Sequence, residues 1–357
     1  MQCLRELTVL TLLAAGILFI TPAMASTPVQ KDSPVINTLF AHTKPQCIGR
    51  YVIDVPESFN NQLHDMIFID DFKIESKPLY SPAFKQRVQL REQALREAVN
   101  KPGNRPENAP FLKEVIPLAD GKGVIFDHNE SGTPDIYRQL EAHVYSGMTA
   151  FVITTDIRDF SDKKHSEKKA KYLARCFTEA DANTKPAKLA AMQSLISRLS
   201  GRKDEDIPSA KGVCIPNGFI RDDGGKNIEK ITFSYENDDF ILGVYTNSKY
   251  MGSTDTLFNR TTEIEKTLKI ANQHTIKKYA LSPGGVPAQA WLSGGPQKIE
   301  NNINPLYEFD LYANEADATP VKPWLTMGIN NVFKKTRYSE AQMIEIWDRL
   351  VNSLRYK

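Results

Sequence analysis

Residues 51–59 (YVIDVPESF) and residues 211–219 (KGVCIPNGF) are the stretches that decide the fold of this 357-residue chain. When they are aligned, an apolar run, a proline and a phenylalanine three positions after the proline recur in register. A nine-residue match is a weak signal when it stands alone. It predicts an internal duplication when the same order of elements follows both copies, and here it does.

After the first copy, two apolar and β-prone runs at 66–69 and 72–76 predict a pair of strands. A helix is predicted to begin at Ser81-Pro82, because serine is a favoured N-cap and proline a favoured first helical residue. Further strand-like runs follow. The half ends in a helix whose apolar residues at 189, 192, 196 and 199 recur at helical spacing.

After the second copy, runs at 229–235 and 240–247 predict two strands joined by a hairpin turn. A helix is predicted from about Ser253, and further strands follow it. The last helix is predicted to begin at Ser339, because Gln342 three residues later completes a capping box. Both halves therefore contain a pair of strands, a helix, more strands and a final helix.

Strands separated mostly by short turns, with helices set apart, favour an α+β fold with antiparallel sheets over a doubly wound parallel sheet. We predict two tandem similar domains, each an antiparallel sheet packed with helices, in an arrangement that resembles the sandwich of PsbP-type proteins. The lysine-rich segment 156–185 is extra in the first half and predicts a surface helix with a solvated face. The predicted divisions are a signal peptide at 1–25, a lead segment at 26–46, a first domain at 47–203, a polar linker at 204–211 and a second domain at 212–357.

The first 25 residues have the pattern of a secretion signal. Arg5 precedes the uncharged apolar run 7–20, and residues 23–25 (AMA) form a small-residue cleavage site. The alternative is an uncleaved anchor, but the run falls short of the roughly 20 residues that a spanning helix needs. We predict cleavage before Ser26 and a soluble protein in the bacterial periplasm. The formal net charge of +2 gives no argument for a nucleic acid or an anionic membrane as a partner.

Three cysteines follow the signal, and export would place them in an oxidising compartment. Cys47, Cys176 and Cys214 allow one disulfide and leave one thiol over, so three pairings are open. We favour Cys47–Cys214, because this pair would join the first strands of the two predicted domains.

The chain carries none of the short motifs that mark common catalytic or metal sites. The serine-hydrolase elbow Gly-x-Ser-x-Gly, the zinc helix His-Glu-x-x-His and a glycine-rich phosphate loop are absent from the sequence. His128 beside Asp127 is the nearest approach to a local pair, and the Gly/Pro turn after it predicts an exposed loop residue. We therefore predict no catalytic residue, no cofactor and no metal, in a protein that is not an enzyme. A hydrolase built from carboxylates distant in sequence stays open, because such sites have no short motif.

Two segments rich in glycine and proline, at 101–110 and 281–296, are predicted to be loops in equivalent places after the first helix of each half. Loops that emerge from the same end of two similar domains would grip a partner between them. The predicted partner-binding residues in these loops are Asn104, Arg105, Gly284, Gly285 and Trp291. Trp324 is a further possible anchor, since tryptophan is enriched in binding hot spots, and core packing is the alternative for both tryptophans.

Three segments together carry a family resemblance. They are the opening signature CIGRYVIDVP at 47–56, the junction that runs from 195 through Ile207-Pro208 to 220, and the C-terminal helix at 339–355 with Trp347. In these segments the chain resembles the two-domain immunity proteins that neutralise phospholipase effectors of type VI secretion systems. The resemblance spans nearly the whole chain after the signal, and the lysine-rich segment 156–185 fits it poorly.

The resemblance implies a function that residue chemistry alone does not give. It implies a periplasmic protein that binds a cognate phospholipase effector and clasps its lid region, so that phospholipid cannot reach the catalytic serine. The family supplies no short motif for contact residues, so none is transferred to this chain. The alternatives are a generic periplasmic binding or envelope-assembly module and a hydrolase without a recognisable motif.

Overall fold

A computed structural model describes residues 33–61, 66–224 and 227–357. The predicted signal peptide at 1–25 and the first residues of the lead segment lie outside the described residues. Within these ranges, no helix combines the length and the apolar character that crossing a membrane requires.

The described part of the chain contains seven α-helices and nineteen β-strands. The helices are α1 Pro34–Leu39, α2 Ser81–Arg96, α3 Ser166–Leu173, α4 Glu179–Ala182, α5 Lys185–Arg198, α6 Thr261–Ile270 and α7 Glu340–Asn352. The strands are β1 Thr43–Ile48, β2 Tyr51–Pro56, β3 Asn60–Asn61, β4 Ile67–Ile69, β5 Phe72–Pro78, β6 Leu112–Pro117, β7 Gly123–Asn129, β8 Tyr137–Ser146, β9 Thr149–Arg158, β10 Leu199–Gly201, β11 Gly212–Ile215, β12 Gly218–Arg221, β13 Glu229–Glu236, β14 Ile241–Asn247, β15 His274–Leu281, β16 Ala288–Ile299, β17 Asn302–Ala313, β18 Trp324–Asn330 and β19 Arg355–Tyr356.

The helix starts follow local sequence chemistry. Helix α2 begins at Ser81 as predicted, with Pro82 in its first turn. Helix α7 begins with the predicted capping box, in which Ser339 Oγ accepts from Gln342 N and Gln342 Oε1 accepts from Ser339 N. Helix α6 begins at Thr261, later than predicted, because a 3-10 turn occupies the four residues before it.

The two halves share one topology, which confirms the predicted duplication and the α+β class. In the first half the sheet order is β4-β5-β9-β8-β7-β6, with α2 between β5 and β6 and α5 after β9. In the second half the order is β13-β14-β18-β17-β16-β15, with α6 between β14 and β15 and α7 after β18. Each half is thus a two-strand hairpin, a helix, a four-strand meander and a helix. The likeness to PsbP-type sandwiches stays a prediction.

The two half-sheets join edge to edge into one continuous antiparallel sheet. The joining strands are β4 and β13, the edge strands of the two half-sheets. They pair from Ile69 opposite Glu229 to Ile67 opposite Ile231. The short strand β3 also pairs with β13. Both halves therefore belong to one thirteen-stranded sheet, with β6 at one edge and β15 at the other.

The opening hairpin of each half packs against the sheet of the other half. In the first hairpin, β1–β2, Tyr51 Oη donates to the carbonyl oxygen of Pro323. Just after β2, the ring centroid of Phe59 lies 5.0 Å from that of Phe240. The second-half strand β19 adds to this hairpin beside β2. The first hairpin is therefore a part of the second half's core.

The second hairpin, β11–β12, makes the reciprocal contacts. Ser76 Oγ on β5 donates to Pro216 O at 2.6 Å, and Thr149 Oγ1 on β9 donates to Asn217 O at 3.3 Å. The first-half strand β10 adds to this hairpin beside β12. Because the core of each half is completed by a hairpin from the other half, residues 33–357 form one compact unit. The boundaries at 203 and 212 stay predictions.

A disulfide connects the two exchanged hairpins. Cys47 on β1 and Cys214 on β11 are both fully buried and bonded to each other, which is the pairing favoured from the sequence. Beside it, Gly49 and Cys214 exchange two backbone hydrogen bonds of 2.8 Å. Cys176 is a free, exposed thiol among the cysteines that the structure describes.

The helices cover the sheet on two faces. On β7, Ile125 belongs to the main core on the α5 and α7 side, and its neighbour Phe126 packs with Leu95 of α2 on the other side. On β15, Tyr279 Oη donates to Asp348 of α7, and the adjacent Lys278 pairs with Glu265 of α6. Helices α5 and α7 therefore cover the inner face with the exchanged hairpins, and α2 and α6 lie on the outer face.

The lysine-rich segment forms two short helices, α3 and α4, where a single surface helix was predicted. The break has local causes. Cys176 takes a left-handed conformation with φ of 67°, and Thr178 with Asp181 forms a capping box that begins a new helix. His165 and Lys164 attach the segment to the buried Asp135 at 2.9 and 2.7 Å.

Candidate functional site

A broad part of the outer face lies between the two outer helices. Helix α2 contacts β6, β7 and β8 on one flank, and α6 contacts β15 on the other. On the strands between them, side chains alternate between the core and solvent, as expected for an antiparallel sheet with one face in water. We call this surface the open face. Its members, all in contact with solvent, are Lys73, Glu75, Lys77, Phe68, Lys230, Thr232, Ser234, Glu236, Gly243, Tyr245, Asn247, Trp324, Thr326, Gly328 and Asn330.

Aromatic side chains gather at the second-half end of the open face. The ring of Trp324 lies 5.1 Å from Tyr250, 5.8 Å from Tyr245 and 6.1 Å from Tyr312, and all four side chains are half-buried. Burial raises the pKa of the Tyr245 and Tyr312 phenols, so both stay neutral hydrogen-bond donors at physiological pH. This aromatic cluster combines large apolar area with polar tips, the composition of protein-binding hot spots.

Two cavities open beside Met66. The first runs along β5 and β9, and the second lies where β4 meets β13, next to Tyr245 of the aromatic cluster. They measure about 500 and 520 Å³ and share Met66, whose side chain is 61% exposed. The first is lined by Lys73, Glu75, Lys77 and Arg87 of α2 among others. The second is lined by Phe68, Asp70, Lys230, Thr232 and Tyr245 among others. Their mixed apolar and charged lining suits the side chains of a protein partner.

A strip without side chains crosses the second half of the open face. Gly243 on β14 lies directly opposite Gly328 on β18, and a Cβ added to Gly243 would meet no atom within 4 Å. Asp310 follows in the same row on β17. Desolvation by the surrounding protein, and to a smaller extent the negative charge of Glu308, raise the pKa of the Asp310 carboxyl to about 6, although this residue is in contact with solvent. Gly243 is therefore the open floor of a trough that a partner can approach closely, and the trough ends at Gly328, where an added Cβ would lie 3.0 Å from Asp310 Oδ1.

The structure places the predicted second loop differently from the expectation. Residues 288–296 lie in strand β16, and the connection after α6 consists of residues 271–273 only, so the predicted equivalence of the two loops is wrong. Trp291 is 3% exposed and packs beneath Lys278, whose Nζ lies 4.7 Å from the ring centroid. This is the core-packing alternative. Gly284 and Gly285 form a turn in which a Cβ on Gly284 would lie 2.5 Å from the Cβ of Arg355.

Hydrogen bonds of Asn104 fix the first loop, residues 101–110, to the neighbouring segments of the chain. Asn104 Nδ2 donates to Ala98 O at 2.6 Å, and Asn104 Oδ1 accepts from Ser131 Oγ and Gly132 N at 2.9 Å each. Arg105 is exposed and lies 3.7 Å from Glu107. The loop precedes edge strand β6, whereas the turn at 284–285 follows the opposite edge strand β15, so the structure does not bring the five candidates together. Their role in partner binding stays a prediction.

Three residues of the aromatic cluster, Tyr245, Tyr250 and Tyr312, are absent from the sequence-based site. A signal for two of them exists, because strand alternation places Tyr245 and Tyr312 on the polar side of their strands. An aromatic residue at an outward position indicates an interface. Trp324, proposed from the sequence as a second anchor, is in this cluster.

His128 was predicted to be an exposed loop residue, and this is wrong. It lies on β7 and is buried, because helix α2 covers this part of the outer face. The Glu141 carboxylate receives His128 Nε2 at 3.1 Å, His143 Nε2 at 2.6 Å and both Arg91 Nε and Nη2. Burial favours the neutral acid, but these bonds outweigh it and hold the pKa of Glu141 well below its usual range. The cluster holds the sheet and α2 together.

No group of three or more His, Cys, Asp or Glu side chains suited to a metal ion occurs in the ranges that the structure describes. The candidate site is the open face with its aromatic cluster, two cavities and trough, a mixture of apolar and charged side chains that suits a protein partner.

Two family models match consecutive parts of the chain. The model of the Tle cognate immunity protein 4 N-terminal domain matches residues 44–202, and the model of the C-terminal domain matches residues 206–357. No curated protein sequence matches the chain.

Solved structures share the fold. The apo structure of immunity protein TplEi of the T6SS from Pseudomonas aeruginosa superposes with a TM-score of 0.66 at 17% identity, covering 88% of this chain and 97% of that one. TplEi complexed with an "L" peptide gives 0.62 at 17% identity, covering 88% and 98%. A chain in the crystal structure of the Tle4–Tli4 complex gives 0.65 at 18% identity, covering 88% and 98%.

Proposed function

Because this chain belongs to the Tle cognate immunity protein 4 family, we propose that it binds and neutralises a cognate Tle phospholipase effector of the type VI secretion system. The observation that carries the proposal is the match of both domain models, which together cover the chain from residue 44 to its end. Membership of this family confirms the resemblance drawn from the three sequence segments. On this proposal the protein acts by binding and performs no chemistry of its own.

The open face is the surface that we assign to the effector. Five strands at about 4.8 Å spacing and seven residues at about 3.3 Å each give a flat area of roughly 500 Å². The sides of α2 and α6 add to it, which brings the contact toward the roughly 800 Å² per partner of a stable interface. The aromatic cluster provides the anchoring side chains, and the trough lets partner backbone approach the sheet.

Inhibition follows if the bound protein holds the effector's lid region in one position. Keeping a two-state lid 99:1 closed against an intrinsic preference of 1:99 requires about 5.5 kcal/mol of differential binding. A surface that contacts both the lid and the body of the enzyme supplies this difference without reaching the catalytic serine. Steric exclusion of phospholipid is then the consequence of binding.

The periplasm is the proposed location. Two observations support it: the signal-like sequence at 1–25, and the buried Cys47–Cys214 bridge, which needs an oxidising compartment to form. Measuring the N-terminal residue of the protein recovered from the periplasmic fraction tests cleavage before Ser26.

The proposal is tested with purified protein and effector in a phospholipid-hydrolysis assay. Wild-type protein at stoichiometric excess should abolish hydrolysis. Gly243→Arg should raise the concentration needed for inhibition at least about 30-fold, since a 2 kcal/mol hot-spot loss corresponds to that factor. The variant should fold normally, because a side chain at Gly243 points into open space. Gln193→Arg, which adds the same charge on the exposed side of α5, is the matched control and should inhibit as wild type does.

Each component can fail separately. Full hydrolysis in the presence of excess wild-type protein rejects the immunity function. Inhibition by wild type together with equal inhibition by Gly243→Arg rejects the open face as the contact surface and leaves the function standing.

A further inference from the structure

Phe333 is the most exposed large apolar side chain in the described part of the chain. It is 83% exposed and lies in the connection between β18 and α7. Its backbone φ is 59°, in the left-handed region that a bulky side chain rarely occupies. Such a conformation is unfavourable for a bulky side chain and persists only where surrounding structure imposes it.

The surrounding structure imposes it through two amide side chains. Gln297 Oε1 accepts from Phe333 N at 2.9 Å, and Gln297 Nε2 donates to Asn331 O at 3.0 Å. Asn331 is fully buried, and its Nδ2 donates to Pro305 O and Lys334 O at 2.9 and 3.2 Å. The residues on both sides of Phe333 are thereby fixed to strands β16 and β17.

A lysine adds a third attachment. Lys334 Nζ donates to Asn237 O at 3.0 Å and pairs with Glu236 at 2.6 Å, which ties the loop to β13. Several hydrogen bonds, most of them part-buried, therefore fix the loop that exposes this phenyl ring to water. The exposed ring gains little from core packing, and phenylalanine is among the side chains enriched at protein–protein interfaces.

We propose that Phe333 is a rigid anchor that inserts into an apolar pocket on the surface of the cognate effector. The inference rests on the proposed function and deepens it by naming a contact residue. A phospholipase must bind acyl chains, so the chemistry of its substrate entrance is apolar and suits an inserted phenyl ring. An anchor already fixed in its bound conformation loses little entropy on binding.

The position of the loop favours the effector as the occupant. Phe333 lies three residues after Asn330, the last residue of β18, and Trp324 is the first residue of the same strand. The seven residues of β18 place the two ends of the strand about 20 Å apart. A partner that covers the open face between them would contact the aromatic cluster at one end and Phe333 at the other.

The test is the affinity of single variants for the purified effector, measured by titration calorimetry or surface binding. Phe333→Ala should weaken binding at least about 30-fold, and Phe333→Leu should lie between it and wild type. Val35→Ala is the matched control, because Val35 is 52% exposed on α1, which packs against α7 on the inner face, and its affinity should equal that of wild type.

A second variant separates binding from folding. Phe333→Gly relieves the left-handed backbone, so its midpoint of thermal unfolding should equal or exceed that of wild type while its affinity falls as far as that of Phe333→Ala. Loss of affinity with a lowered unfolding midpoint would show a structural role and overturn the proposal.

The remaining outcomes are distinguishable. If wild type does not bind the effector, the proposed function fails. If wild type binds and Phe333→Ala binds equally well, the anchor fails and the function stands. If Phe333→Ala instead converts a self-associated form to a monomer in size-exclusion chromatography with unchanged effector affinity, the ring contacts a second copy and the proposal is overturned.

Discussion

Removing the Cys47–Cys214 disulfide tests the central feature of the fold, the exchange of opening hairpins. The bridge spans 167 residues of sequence. Closing a loop of that length lowers the conformational entropy of the unfolded chain by an amount worth about 5 kcal/mol at 25 °C. Loss of a native disulfide commonly costs about 2–5 kcal/mol, so we expect the free energy of unfolding to fall by about 3–5 kcal/mol in the Cys47→Ala/Cys214→Ala double variant.

The assay is urea-induced unfolding followed by circular dichroism under non-reducing conditions. With a slope of about 3 kcal/mol per molar urea, the predicted loss moves the unfolding midpoint down by about 1–2 M. Cys176→Ala is the control. This thiol is exposed and unbonded in the described structure, so its removal should leave the midpoint unchanged. Hydrogen exchange should show reduced protection in both hairpins, at 43–56 and 212–221, because the bridge holds them together.

Two results would refute the reasoning. A double variant within about 1 kcal/mol of wild type would show that the bridge does not restrict the unfolded chain as the loop-length model requires. Loss of hydrogen-exchange protection in one hairpin alone would show that the disulfide does not couple the two exchanged hairpins.

Three further predictions concern the same architecture. Arg50→Ala should lower the free energy of unfolding by about 3–5 kcal/mol in chemical denaturation, because it leaves the buried Glu229 carboxylate without the Arg50 Nη2 that lies 2.6 Å away. Adding Glu229→Gln should recover much of this loss. Glu141→Gln should flatten the fall of stability with acid. Because the pKa of Glu141 is lower in the folded protein, the ionised side chain contributes its full stabilisation above the pKa of the unfolded state. This stabilisation is lost as the pH falls below that value, at up to about 1.4 kcal/mol per pH unit. Wild type and variant should therefore differ in the slope of unfolding free energy against pH between about pH 4 and pH 3. A chain cut between residues 203 and 212 should give halves that stay unfolded when expressed alone and assemble when co-expressed, as size-exclusion chromatography would detect.

The sequence predicts the repeated unit well because that unit is specified by local patterns. Period-two alternation marks the strands, and the capping box at Ser339 and Gln342 marks the start of the last helix. The exchange of hairpins has no such local signal. The stretches 51–59 and 211–219 are alike, so each hairpin presents the same apolar pattern whether it packs on its own half or on the other. The similarity that indicates the duplication therefore gives no information on which half's core each hairpin completes.

The error at 281–296 has a physical explanation. Glycine and proline at this density predict a loop, yet only the turn at 284–285 uses glycine for its conformation. Gly294 lies inside β16, where a Cβ would come within 2.8 Å of Ile276 Cδ1 on the neighbouring strand. Glycine here accommodates close packing between strands, a role that a single sequence does not distinguish from a turn.

The aromatic cluster could be predicted only in part. Its four members come from β14, the connection after it, β17 and β18, so no sequence spacing unites them. The sheet order places β14 and β17 on either side of β18, and only this order makes Tyr245 and Tyr312 neighbours of Trp324. A site assembled by long-range strand pairing becomes visible when the topology is known.

The architecture also limits how the protein can inhibit its effector. A clasp that closes by hinge motion needs two bodies joined by a few flexible residues. Here the halves share one sheet across β4 and β13, each half completes the other's core with a hairpin, and a buried disulfide joins the hairpins. A hinge between the halves would break all three connections, which is a large part of the folding free energy of a protein. If the proposed clasp forms, we therefore expect it to be a preformed surface, with the conformational change on binding in the lid of the effector.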